Sequence, residues 1–208
     1  QTVRCYLYLL AGLLACLAGC HTPESSPKPM TYDLILRNGT IYDGSGGAPF
    51  VGDVALRGDR IEAIGALGDV RGRREIDVNG LAVAPGFINM LSWATESLLH
   101  DGRSQSDIRQ GVTLEVMGEA ESMGPLNAQM KKDFVAQQGD IRYDVKWTTL
   151  GGYLEHLEKR GVSCNVASFV GGTTVRVHEL GYADRAPTPD ELQRMTRLVE
   201  QAMEEGAV

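Results

Sequence analysis

Val83-Ala84-Pro85-Gly86-Phe87-Ile88-Asn89-Met90-Leu91 is the stretch at which the chain changes rhythm. Before Pro85, short segments alternate apolar and polar residues with a period of two, the pattern of strands with one wet face. After it, Phe87 to Leu91 is an almost continuous apolar run, as expected of a parallel strand buried on both faces. The junction therefore separates a β region from an α/β region.

Upstream, Asn38-Gly39, Gly58-Asp59 and Asn79-Gly80 each stand between two alternating segments. These pairs suit two-residue hairpin turns, which predicts a small antiparallel β domain over residues 31–85. Downstream, Val112–Met117 and Val162–Val170 read as further buried strands, and Thr149–Arg160 reads as a helix with Tyr153, Leu154 and Leu157 on one side. Ser104 and Asp107 have capping-box spacing ahead of a short helix. Thr188-Pro189-Asp190-Glu191 combines an N-cap, a proline in the first turn and a box-completing Glu. The helix it opens carries a stripe of Leu192, Met195, Leu198, Val199, Ala202 and Met203, and Gly206 ends it. Strands alternating with helices imply a right-handed parallel βα succession over residues 86–208. Ala207-Val208 resembles the first step of a fourth strand, so the sequence reads as the first part of a longer protein.

The 208 residues include 20 Lys+Arg against 27 Asp+Glu, a net charge of −7, which argues against nucleic acid as a partner. With 43% apolar and 23% charged residues the chain can bury a core. Its 4 cysteines do not form a disulfide scaffold, because Cys5, Cys16 and Cys20 crowd the first 20 residues. Arg4 followed by the 14 uncharged residues Tyr6–Gly19 has the make-up of a secretory leader and is too short to span a bilayer. Leu17-Ala18-Gly19-Cys20 resembles a bacterial lipobox, which implies cleavage of residues 1–19 and a lipid on the Cys20 thiol. Residues 20–30, rich in Pro and Ser, then form a tether. The expectation is a cell-envelope lipoprotein facing the periplasm from the outer membrane, with the membrane as a partner through its anchor.

The ordered set of Tyr32–Gly46, Gly80–Asn89, Asn165–Gly171 with Arg176, and Arg185–Leu192 resembles the N-terminal half of the amidohydrolase superfamily, in its D-aminoacylase branch. The resemblance implies a (β/α)8 barrel of the TIM type, of which only the first part is present, preceded by part of a β-sandwich. It also implies hydrolysis of a non-peptide C–N bond in a small-molecule substrate, such as an N-acyl-D-amino acid, by zinc-activated water. The family's His-x-His pair falls on Leu91 and Trp93, its metal-binding Cys on Ala120, and the His of a third-strand Gly-His motif on Gly172. None of these side chains ligates zinc. At most one zinc ion is therefore expected, with Glu119 as the contributor from this chain and Glu121 beside it. Ser92 and Arg176 are the substrate-binding candidates. Ser92 is read without a base beside it, and Arg176 offers bidentate geometry to a carboxylate. Alternative readings are a catalytically silent lipoprotein that binds small acylated ligands, or a one-metal cyclic amide or lactone hydrolase. His100, His156 and His178 lack metal spacing, and Cys164 reads as buried and inert.

Overall fold

The computed structural model describes residues 31–208. The leader, Cys20 and the tether lie outside the described residues. The chain divides between Ala84 and Pro85 into two compact units.

The first unit is a single sheet of β1 (Tyr32–Ile41), β2 (Phe50–Arg57), β3 (Arg60–Gly65), β4 (Gly72–Asp77) and β5 (Ala82–Val83). Ile35, Ala55 and Ala63 face one another across β1, β2 and β3, and Ile35 and Ala55 are fully buried. Small Ala residues beside Ile35 let Tyr32, Leu67 and Val70 close over that row. Gly58-Asp59 makes the expected hairpin between β2 and β3.

The other two Gly-containing pairs do something different. Asn38-Gly39 lies inside β1, where Arg37 and Asn38 together oppose Asp53, a β-bulge and not a turn. Asn38 sits at φ 60°, and its N–H donates to Asp53 Oδ1 at 3.0 Å. Asn-Gly tolerates the left-handed conformation in a turn and in a bulge alike, so the distant carboxylate settles which one forms. Asn79-Gly80 is likewise no hairpin. β4 and β5 both run parallel to β1 along the same edge, and a turn closed by Leu81 N–H to Val78 C=O steps from one to the other. The sheet is mixed, which corrects the antiparallel expectation.

The second unit holds the parallel sheet β6 (Phe87–Ser92), β7 (Val112–Met117) and β8 (Asn165–Ser168), with β7 in the middle. Helices α1 (Ser97–His100), α2 (Gln105–Ile108), α3 (Ala128–Gln137), α4 (Leu150–Arg160), α5 (Gly172–Leu180) and α6 (Pro189–Glu204) connect or follow the strands. On α4, Leu150, Tyr153 and Leu157 recur at helical spacing and are buried with Met117, Leu98 and Leu126 in the main core. Thr149 caps α4 by accepting the Gly152 N–H, and Thr188 with Glu191 closes a complete capping box on α6. Of the α6 stripe, Ala202 is buried, whereas Leu192, Val199 and Met203 are exposed. Val208 N–H donates to Ser168 C=O at the end of β8.

Three expectations change here. Phe87, Ile88, Met90 and Leu91 form a strand but are exposed, because β6 is the edge of this sheet among the described residues. The Ser104 box does not form: Ser104 has a left-handed backbone, makes no side-chain cap, and donates its hydroxyl to Glu115 instead. Helix α1 escapes the sequence pattern because it has only 4 residues, and α5 because its Gly172-Thr173-Thr174-Val175 start is poor in helix formers. Helix α3, though rich in helix formers and capped by Asn127, escapes it because it buries only Met130 and so shows no apolar stripe.

Asp53 ties the first unit together. It accepts from Asn38 N–H, from Arg37 Nη1 at 2.9 Å and from Leu67 N–H at 3.4 Å. Burial works to raise its pKa, but these donors outweigh it and hold the carboxyl below its usual value. Stability from a depressed carboxylate is fully present above its unfolded pKa of about 4, and is lost as pH falls further toward the folded value. Asp53→Asn should therefore cost about 1–3 kcal/mol at pH 7 and flatten the acid limb of the stability curve. Denaturant titrations between pH 7 and 3 check this, and identical pH dependence in both proteins would refute it.

Candidate functional site

Ser92, Met117 and Ser168 lie side by side at the C-terminal ends of β6, β7 and β8. Loops leaving that edge of a parallel sheet are free of its ladder and are where such folds place chemistry. A cavity of about 520 Å³ opens there. Its walls include Leu91, Trp93, Ala120, Met123 and Phe134, and its rim carries Glu96, Glu119 and Glu121.

The loop after β7 is clamped before it reaches the cavity. Ser122 is buried; its hydroxyl donates to Gly124 C=O at 2.6 Å and accepts Gly171 N–H at 2.9 Å. Thr174 Oγ1 accepts Ser122 N–H at 2.8 Å, and Ala120 C=O accepts Thr173 N–H at 3.1 Å. A Cβ on Gly171 would stand 2.5 Å from Ala120 C=O, so the loop lies directly on the start of α5. Glu119 and Glu121 thus project from a fixed backbone.

An aromatic group fixes the loop after β6 to the same frame. Trp147 Nε1 donates to Met123 C=O, and Tyr153 Oη to Thr95 C=O at 2.8 Å. Tyr143 stacks on Trp147 with ring centroids 6.3 Å apart and donates its hydroxyl to Glu96 Oε1 at 2.8 Å. Burial, and then Glu96, push the Tyr143 pKa well above its ordinary value, so it remains a donor. His156, on α4, is half-buried against the Trp147 ring, 5.3 Å between centroids.

Ser92 does have a carboxylate beside it, contrary to the sequence reading. Its hydroxyl donates to Glu115 Oε2 at 2.6 Å. Glu115 is 0% exposed and also accepts from Ser104 Oγ at 2.7 Å and Cys164 Sγ at 2.9 Å. Burial and the Glu115 carboxylate raise the Cys164 thiol to about 11, which keeps it protonated and inert. Glu115 was hidden in the sequence because it sits within an apolar strand, 23 residues from Ser92.

Arg176 lies away from the cavity walls. It donates to Ala183 C=O at 2.9 Å and Arg185 C=O at 2.7 Å, so its guanidinium holds the turn between α5 and α6 rather than meeting the cavity. His178 pairs with Glu179 at 3.1 Å. Leu91, Trp93 and Ala120, three of the positions where the resemblance places metal ligands, do line one cavity. Gly172 does not, although a Cβ there would meet open space. Among the described residues no three His, Cys, Asp or Glu side chains are grouped to hold a metal ion. These residues do not by themselves fit a zinc centre.

The D-aminoacylase of Alcaligenes xylosoxydans xylosoxydans is 36% identical over 189 residues, 89% of this chain and 38% of that protein. The N-acyl-D-aspartate deacylase of the same organism is 33% identical over 180 residues, 86% of this chain and 36% of that protein. The chain is a homologue of the D-aminoacylases. A crystal structure of a D-aminoacylase, described as defining a novel subset of amidohydrolases, superposes with a TM-score of 0.73 at 35% identity, covering 85% of this chain and 37% of that one. The N-acyl-D-glutamate deacylase of Bordetella bronchiseptica, solved with zinc and a phosphonate inhibitor, gives 0.74 at 28% identity, covering 86% and 38%. No family model matches the chain. This homologue spans less than two fifths of the length of the curated relatives it matches.

The clamp on the β7 loop has a measurable weight. Ser122→Ala leaves Gly124 C=O and Gly171 N–H buried without their partner, at roughly 1–3 kcal/mol each. Chemical unfolding of the intact protein should show a loss of about 2 kcal/mol or more, and a loss under 0.5 kcal/mol would refute the clamp.

Proposed function

We propose that the intact protein is a hydrolase of the amidohydrolase type that cleaves a non-peptide C–N bond, releasing an amino acid from its N-acyl-D form. The observation that carries this reading is the ordered match to D-aminoacylase over 89% of the chain, running through the loops that line the cavity. In the same reading the parallel sheet is the first part of a (β/α)8 barrel, and the mixed sheet is part of a β-sandwich.

The residues of this chain shape and orient. Trp93, Leu91 and Phe134 give the cavity apolar and aromatic walls, while the Ser122 clamp and the aromatic group keep its two loops in place. Zinc is limited to one ion per chain, to which these residues contribute the Glu119 carboxylate and nothing more.

Intact protein supplied with zinc and a panel of N-acetyl amino acids should release free amino acid, with D-isomers favoured over L by at least about tenfold. No release from any of them would overturn the reading in favour of the silent binder. Metal analysis should find no more than one zinc per chain, and Glu119→Gln should lower it. Two zincs would refute the limit, and undiminished occupancy in the variant would return Glu119 to a loop charge.

The location is proposed on the sequence alone: a lipoprotein anchored through Cys20 and facing the periplasm, outside the described residues. Cys20→Ala should move the protein from the membrane to the soluble fraction, and unchanged membrane association would sink the idea.

A further inference from the structure

The cavity at the ends of β6 and β7 has a second, smaller hollow of about 90 Å³ as its neighbour, and the two share Glu121, Phe134 and Gln137 as walls. At one end stands Trp93, 83% exposed; at the other stands Tyr182, 80% exposed. Large aromatic rings left in water along a concave surface are available to a ligand, and their faces attract cations. Carboxylates follow the same line: Glu96 and Glu121 on the larger hollow, Glu121 and Asp133 on the smaller.

Among the described residues no Lys, Arg or His lines either hollow. Neither Glu96, Glu121 nor Asp133 makes an ion pair among the described residues. Glu96 is held by the Tyr143 hydroxyl and Asp133 by Gln129 Nε2 at 2.8 Å, both neutral donors that orient a carboxylate without cancelling its charge. By contrast Glu179 and Glu191, also on helices of this unit, are neutralised by Arg194 and Arg185. The trough therefore combines exposed aromatic faces with carboxylates that no cation among the described residues neutralises, on a backbone the Ser122 clamp holds still.

We propose that this trough, walled by Trp93, Phe134 and Tyr182 and edged by Glu96, Glu121 and Asp133, binds an organic cation: an ammonium or guanidinium group on an apolar stem. For a substrate, that selects N-acyl amino acids with basic side chains over acidic ones; this part rests on the deacylase reading, whereas the binding itself does not. A divalent ion is the poorer occupant, because these carboxylates are not grouped for metal ligation and aromatic rings offer it no ligand.

The binding test uses intact protein and benzyltrimethylammonium chloride, with benzyl alcohol as the uncharged comparison, followed by calorimetry and by Trp emission. Trp147, the other tryptophan of these 208 residues, is buried, and a change in emission that disappears in Trp93→Phe reports on Trp93. The cation should bind at least about tenfold tighter than the alcohol. Trp93→Ala and Glu121→Gln should each weaken it at least about threefold, and Trp93→Phe should retain most of it. Equal affinity for cation and alcohol, or variants that bind as the parent does, would overturn the proposal; circular dichroism of each variant verifies that it is folded. The substrate arm compares N-acetyl-D-arginine with N-acetyl-D-glutamate. Preference for arginine supports the inference, and preference for glutamate overturns it while leaving the deacylase reading intact. Cation binding without turnover of any member of the N-acetyl amino acid panel supports the trough and removes the deacylase reading instead.

Discussion

A single carboxylate, that of Glu115, sets the geometry of the second unit. It is wholly enclosed and accepts hydrogen bonds from Ser92 on β6, Ser104 ahead of α2, and Cys164 ahead of β8. A carboxyl group with no such donors would cost several kcal/mol to bury, so the three segments that carry them must converge for the sheet to form. Convergence fixes the end of β6 against the end of β7, and with it the starting points of both loops that shape the cavity. Ser92 passes the constraint outward, because its oxygen also accepts the Ala94 N–H at the first turn of the β6 loop.

Much of this unit could be read from local chemistry. The α6 cap is complete within four residues, Thr188 to Glu191, so no distant partner is needed to recognise it. Thr149 and the Tyr153, Leu157 spacing are equally self-contained. Where the deciding partner is remote, local reading fails. Asn38-Gly39 has the chemistry of a turn and becomes a bulge because Asp53 captures the Asn38 N–H. Ser104 has the spacing of a cap and becomes a donor to Glu115 instead. In both, one polar atom has two possible partners, and the buried one wins because its desolvation is the larger penalty.

The site divides along the same line. The resemblance sets its metal-ligand positions on Leu91, Trp93 and Ala120, whose side chains carry no ligand atoms, and the three share one cavity. The carboxylate partner of Ser92 and the diversion of Arg176 onto loop carbonyls are tertiary facts with no sequence signal. The exposure of Trp93 belongs to the same class, since an aromatic after an apolar strand reads as core.

Charge balance links these observations to what the cavity takes. A metal site of carboxylates and imidazoles carries its own compensation in the ion. With Leu91 and Trp93 in place, the walls gain apolar and aromatic surface and lose ligands, while Glu96 and Glu121 remain on the rim. Low-dielectric walls focus the field of those carboxylates into the opening. An anionic side chain entering there meets like charge beside apolar surface, and gains nothing to offset its lost hydration. A cation on an apolar stem keeps its charge among the carboxylates and its stem against Trp93 and Phe134, which is why the proposed trough favours that guest.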